Sequence, residues 1–227
     1  MLEKLPASVG HALINQRAGM DHVVYNRLFH DRPTERIAVR SPAFMFNARI
    51  PTRFTADGDG LSPPLAWDDV PSDAASVALI VEDADSPTPH PLVHAIVVGL
   101  DGGDGSIAEG ALSSPHHTGA GFTTGQNSFL RQAWLPPDPP RGHGEHRYVF
   151  QVFALRAGEP FSAVPGRREF IEVILARSLA VGCLIGTYDR ADRSKSDAPG
   201  DARDSVLEST EGAGESLVGL GPELGTA

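Results

Sequence analysis

"VEDADSPTPHPLVHAIVV" (Val81–Val98) decides how the rest of the chain is read. Two aspartates, three prolines and two histidines separate two runs rich in β-branched residues, so the chain leaves one strand, crosses a polar loop and enters another. Asp83 and Asp85 are one residue apart at the end of the first run, and continued extended geometry would turn both to the same side. Pro87, Pro89 and Pro91 then prevent regular ladder pairing, and the second strand starts near Leu92 with His94 close to its beginning. Taken alone, the aspartates read as turn-capping groups, and His94 reads equally as a satisfied core imidazole or a ligand.

Working outward, "SVALIVED", "LVHAIVVGL" and "HRYVFQVFAL" read as core strands, too short for typical helices, with "IAVRSPAF", "ARIPTRFT" and "VGCLIGTY" as further short runs. The 24 Gly and 19 Pro point the same way, toward many turns and little continuous helix. "GRREFIEVILARSLAVG" is the exception: Ile171, Ile174, Leu175 and Ser178 share a helical face, and Gly182 follows as a breaker. Before the strands, Leu2, Leu5, Val9, Leu13 and Ile14, then Val23, Val24, Leu28 and Phe29, predict two short amphipathic helices. Lacking a core of their own, these should dock on the main domain or on a second subunit. From about Arg190 onward Gly, Ser, Asp and Glu prevail, and a flexible acidic tail is expected, with a docking helix near Leu217 as the lesser reading. The organisation is therefore an N-terminal helical extension over 1–36, a β domain over 37–190 and a tail over 191–227.

A formal charge of −10 argues against a nucleic-acid partner, because phosphate neutralisation needs clustered Lys and Arg. Cys183, the only cysteine, lies in the apolar "LAVGCLIGTY" and reads as a small buried hydrophobe. No N-terminal apolar run resembles a signal peptide or a spanning helix, so a cytoplasmic protein without integral membrane association is expected.

"RGHGEHRYVF" supplies a second polar cluster, His143, His146, Arg147 and Tyr148. His146 and Tyr148 would share a strand face, with Arg147 on the other, where a buried carboxylate from the Asp pair would satisfy it. If the strand ends adjoin, Asp83, His94, His146 and Tyr148 converge. Such a set can bind a metal or move protons, but there is no helical H-E-x-x-H and no CxxC, so the metal signal is weak. It can equally donate imidazole N–H and tyrosine O–H groups to a phosphate. No G-x-S-x-G elbow marks a serine nucleophile, Ser62 and Ser86 each precede proline, and "ADGDGLSPP" lacks the spaced ligands of a calcium loop.

"LSPPLAWDDVP", "ALIVEDADSPTPHPLVHAIVV", "GQNSF", "PPDPPRGHGEHRYVFQVFAL" and "LIGTYDR", in that order, resemble the phosphatidylethanolamine-binding protein family, in its bacterial Raf-kinase-inhibitor-like branch. The resemblance runs from about Ser41 to Arg190. It implies a mainly β fold, an antiparallel sandwich of Greek-key type with a C-terminal helix, here carrying an N-terminal helical extension. It also implies a small pocket for phosphate, phosphoethanolamine-like groups or other anions, lined by Asp83, Asp85, Pro87, His94, His146 and Tyr148, with Trp67 nearby and Arg147 supporting the loop. Ala84 replaces a proline of the family pattern, Pro136 stands where a glycine is usual and offers no N–H, and Glu145 precedes His146.

The leading expectation is a non-enzymatic binding protein in which His94 and His146 donate to a small anionic or phosphorylated ligand while Asp83 sets their protonation, with no cofactor and no metal. The alternative is a metal-assisted or acid–base hydrolase using the same Asp and His residues. A third reading is an interaction module, a homodimer paired through its N-terminal helices.

Overall fold

The computed structural model describes residues 6–29, 35–113 and 121–190; Leu2, Leu5 and the expected acidic tail lie outside these. In chain order, α1 (Ala7–Leu13) and α2 (Val24–Phe29) precede β1 (Glu35–Arg36), β2 (Ala38–Arg40), β3 (Ala48–Arg49) and β4 (Leu65–Asp68). There follow β5 (Ser76–Asp83), β6 (Leu92–Asp101), β7 (Gly105–Ile107), β8 (Thr123–Thr124), β9 (His146–Leu155), α3 (Arg167–Arg177) and β10 (Ser178–Tyr188).

The three runs rich in β-branched and aromatic residues form β5, β6 and β9, and they hold the centre of a sheet ordered β1-β10-β9-β5-β6-β8, with β3 also on β10. Its long strands pair antiparallel, whereas β1 and β3 run parallel to β10 at the margin. A second sheet, β2-β4-β7, covers one face. Alternation sends Val77, Leu79 and Val81 of β5 and Phe150, Val152 and Ala154 of β9 into the core shared with Leu65, Trp67 and Ile107 of the small sheet. The opposite residues, Ala78 and Ile80 with Phe153 and Leu155, pack instead under α2 and α3. Strands buried on both faces have no polar side, which is why β5 reads as a continuous apolar run rather than an alternating one.

Two details of α3 differ from the sequence expectation. Phe170 and Ile174, four residues apart, are the buried pair, while Leu175 is 48% exposed. The helix ends at Arg177, and Ser178 already begins β10, so Gly182 is a strand residue rather than a breaker. A Cβ at Gly182 would sit 2.0 Å from the Ile37 carbonyl oxygen, so the glycine admits the chain between β1 and β2. Cys183 is half-buried beside Tyr25 and Ile185 on the helix-side face, not enclosed in the main core.

The described part of the N-terminal segment docks on its own domain. Val23 and Val24 are fully buried against the sheet, whereas Ile14 stays 44% exposed. The anchor is Glu82, fully buried on the helix side of β5. Its carboxylate accepts from Arg167 Nε (2.7 Å), Gln151 Nε2 (2.8 Å) and the Val24 amide (2.8 Å). Gln151 Oε1 in turn accepts from the Tyr25 amide at 2.6 Å. Removing one member strands a charge in a low-dielectric layer, so Glu82→Ala should lower stability by about 3–5 kcal/mol, read from the urea midpoint. Glu82→Gln, whose single amide oxygen can still accept from the Val24 amide and Gln151, should cost less.

Candidate functional site

At the end of β5 successive carboxylates part company. Asp83 is registered opposite Tyr148 and keeps to the core side, with its Oδ2 2.8 Å from His146 Nδ1 and its Oδ1 accepting the Asp85 amide at 2.9 Å. The strand stops there, and the turn through Ala84 swings Asp85 away, so the two aspartates do not share a side as extended geometry would have required. Asp85 instead accepts from the Arg147 amide (2.9 Å) and from Arg147 Nε and Nη2 (both 2.7 Å), and pairs with Arg17 at 2.9 Å. Burial opposes its ionisation, but the Arg147 and Arg17 hydrogen bonds outweigh that and hold the carboxyl down at about 2. Ala84, where the family pattern has proline, is fully buried against Val23 and Val149. Its N–H donates to the Arg147 carbonyl at 3.0 Å, a bond a proline would forfeit, and its carbonyl accepts from Gly19 at 2.7 Å.

His146 is engaged at both nitrogens: beyond Asp83, its Nε2 lies 2.6 Å from His143 Nδ1. His143 Nε2 faces two carbonyl oxygens of the N-terminal segment, Leu13 at 2.8 Å and Gln16 at 3.1 Å, and must therefore carry a hydrogen. The links from Asp83 to His146, from His146 to His143 and from His143 to the carbonyls need three protons. A carboxylate with two neutral imidazoles brings two, so the chain holds one more and is neutral as a unit. Burial, and then the neighbouring His146, lower the His143 pKa. His146 is thus not the free donor that strand spacing suggested, and His143, whose role the sequence left unassigned, is the reason.

His94 has the opposite arrangement. It is 2% exposed, its Nδ1 donates to the Leu135 carbonyl at 2.5 Å, and its Nε2 has no partner among the described residues. Burial lowers its pKa, against the pull of Asp83, so the imidazole is neutral and Nε2 presents a lone pair. Tyr148 packs edge-on to His94 at 5.1 Å and stacks with His146 at 6.4 Å, and its buried hydroxyl is also unpartnered. Burial, then Asp83, push that phenol well above its usual pKa, so it stays protonated.

A cavity of about 570 Å³ opens over these groups, lined by Asp83, His94 and His146 below and by Pro87, Leu92, Leu135, Pro136, Pro139, Pro140 and Phe129 around. Such a volume is in the range that takes small organic ligands. Asp138 in the wall is paired with Arg190, which also donates to Asp57 at 2.6 Å. Arg131 lines the cavity as well, with no ion pair among the described residues, and nothing in the sequence singled it out. Of the expected site residues, Asp83, Pro87, His94 and His146 line the cavity and Tyr148 lies directly behind it, whereas Asp85 and Trp67 do not. Trp67 is in the core between the sheets with its indole N–H on the Gly103 carbonyl at 3.1 Å; the tryptophan beside His94 is Trp134, at 5.9 Å. Glu145 is exposed and outside the lining. Among the described residues no three His, Cys, Asp or Glu groups are placed to hold a metal, and no helix is long and apolar enough to cross a membrane.

Fold and cavity define a two-sheet β protein with a pocket at the ends of its central strands. The family model for phosphatidylethanolamine-binding protein matches residues 40–189, and the chain belongs to that family. It is 36% identical over 154 residues to a UPF0098 protein of Aquifex aeolicus, covering 67% of this chain and 88% of that one. It is 39% identical over 155 residues to the putative lipoprotein LppC of Mycobacterium tuberculosis, covering 68% and 73%, so likeness to relatives does not by itself carry a cytoplasmic location. The crystal structure of a putative phosphatidylethanolamine-binding protein homolog from Chlamydia trachomatis superposes with a TM-score of 0.61 at 30% identity, over 69% of this chain and 99% of that one.

Because the Asp85 pKa falls on folding, its stabilisation is full above the unfolded value and is lost as pH drops toward about 2. About 2–3 kcal/mol should disappear between pH 5 and pH 2, measured by urea unfolding. In Asp85→Asn this component of the pH dependence should be absent, with the variant's deficit largest at neutral pH.

Proposed function

We propose that this protein is a non-catalytic binding protein whose cavity receives the head of a small anionic or phosphorylated ligand, of the phosphate or phosphoethanolamine kind. The observation that carries this reading is the buried His94 Nε2, without a partner among the described residues, in the lining of a mostly apolar cavity, with the equally unpartnered Tyr148 hydroxyl on a ring packed against His94. Buried polar atoms without partners are costly, and a ligand head that brings a hydrogen to His94 Nε2 supplies what the protein withholds. Arg131 contributes a positive charge at the lining, and the carboxylate beneath, Asp83, is tied to His146. The apolar walls favour an organic body behind the head, in keeping with the lipid named in the family's description.

A hydrolase needs a carboxylate or imidazole free to take a proton from water or substrate. Here Asp83 and His146 are bound to each other, and the two hydroxyls of the lining, Ser86 and Thr88, are hydrogen-bonded to one another at 2.8 Å.

Titration with phosphate or phosphoethanolamine at millimolar concentration should shift the His94 ring signals and the Tyr148 hydroxyl environment in NMR spectra. His94→Ala should weaken binding about tenfold or more, the value of one hydrogen bond to a charged group. Ring signals indifferent to both ligands would remove this reading.

A further inference from the structure

The donor inventory of the cavity has a consequence for how an anion can enter. His94 Nδ1 must carry its hydrogen, because its only partner is the Leu135 carbonyl at 2.5 Å. In the neutral ring Nε2 is then an acceptor, and an anion's oxygen brought against it sets two lone pairs facing each other. Pro136 in the adjacent wall has no N–H to offer instead, and the Leu135 N–H is already spent on the His94 carbonyl at 2.8 Å. Resting on the reading of this cavity as an anion site, we propose that an oxyanion is bound together with one proton, held between its oxygen and His94 Nε2.

No covalent bond changes. Either the imidazole takes a proton from solvent to meet a fully ionised anion, or the anion arrives carrying the proton itself, and the complex is the same. The charged and titratable groups around His94 allow it. Asp83 on β5 offers a nearby carboxylate that favours an imidazolium, as does Asp138 from the proline-rich segment, although each has its own partner in His146 and Arg190. His146 on β9 opposes it, Arg131 in the lining offers a positive charge to the anion, and Tyr148 stays neutral. In the empty cavity burial decides and His94 is neutral. An anion adds an unneutralised negative charge beside the ring and reverses that balance.

Sulfate separates the possibilities because it carries no proton near neutrality. Calorimetry at pH 7 in two buffers of different ionisation enthalpy should show one proton taken up per sulfate bound, and affinity should fall about tenfold per pH unit above that. Inorganic phosphate, able to bring its own proton, should show a shallower dependence below neutral pH. His94→Gln offers a neutral N–H and should bind sulfate without proton uptake. Should that variant not fold, the wild-type ring nitrogens answer directly: at saturating sulfate and pH 7, the His94 Nε2 resonance should move to its protonated position. Wild-type binding with no uptake and a flat pH profile overturns the inference, as does uptake that persists in His94→Gln, which would place the proton on the Asp83–His146–His143 chain. If neither sulfate nor phosphate binds between pH 6 and pH 8, the anion-site reading falls and this inference falls with it.

Discussion

Three carboxylates within four residues, Glu82, Asp83 and Asp85, are all buried at the end of one central strand, and each must have its own counter-charge or proton. Strand alternation and the turn at Ala84 send them in different directions, so they recruit partners from three parts of the chain. Glu82 takes Arg167 at the start of α3, Asp83 takes His146 on β9, and Asp85 takes Arg147 together with Arg17 of the N-terminal segment. Satisfying these charges ties the helices, the sheet and the extension to the same strand end.

The N-terminal segment consequently supports the pocket from behind. Its carbonyls at Leu13 and Gln16 set the tautomer of His143, which orients His146, which holds Asp83 under the cavity. Arg17 reaches the same region through Asp85 and the carbonyls of His143 and Glu145. Among the described residues, four buried side-chain atoms keep no partner: Ser178 Oγ and Arg190 Nη2 elsewhere, and His94 Nε2 and the Tyr148 hydroxyl at this spot. A chain that pairs nearly every buried polar group around one spot and leaves two open there has the arrangement expected of a ligand site.

The strands were legible because their signals are local. "SVALIVED" and "HRYVFQVFAL" carry enough β-branched and aromatic residues to be strands in any tertiary setting, and the opposed directions of His146 and Arg147 follow from a two-residue period. The errors arose where a local rule met a boundary. Asp85 lies two residues past the end of β5, Ser178 lies past the end of α3 in β10, and the strand of Trp67 belongs to the opposite sheet. Trp134, Arg131 and Asp138 reach the site on loops, where no periodicity announces a direction.

By itself, then, the sequence determined the family, the dominance of β structure and the identity of Asp83, His94, His146 and Tyr148 as a converging set, because ordered motifs and a two-residue period survive without coordinates. The tertiary structure decided which of those groups are free. Whether a histidine nitrogen is a donor, an acceptor or already committed depends on carbonyls tens of residues away: Leu135 for His94, and Leu13 and Gln16, which hold the neighbouring His143, for His146. Such long-range hydrogen bonds leave no pattern along the chain, and they are what separates the supporting imidazole from the open one.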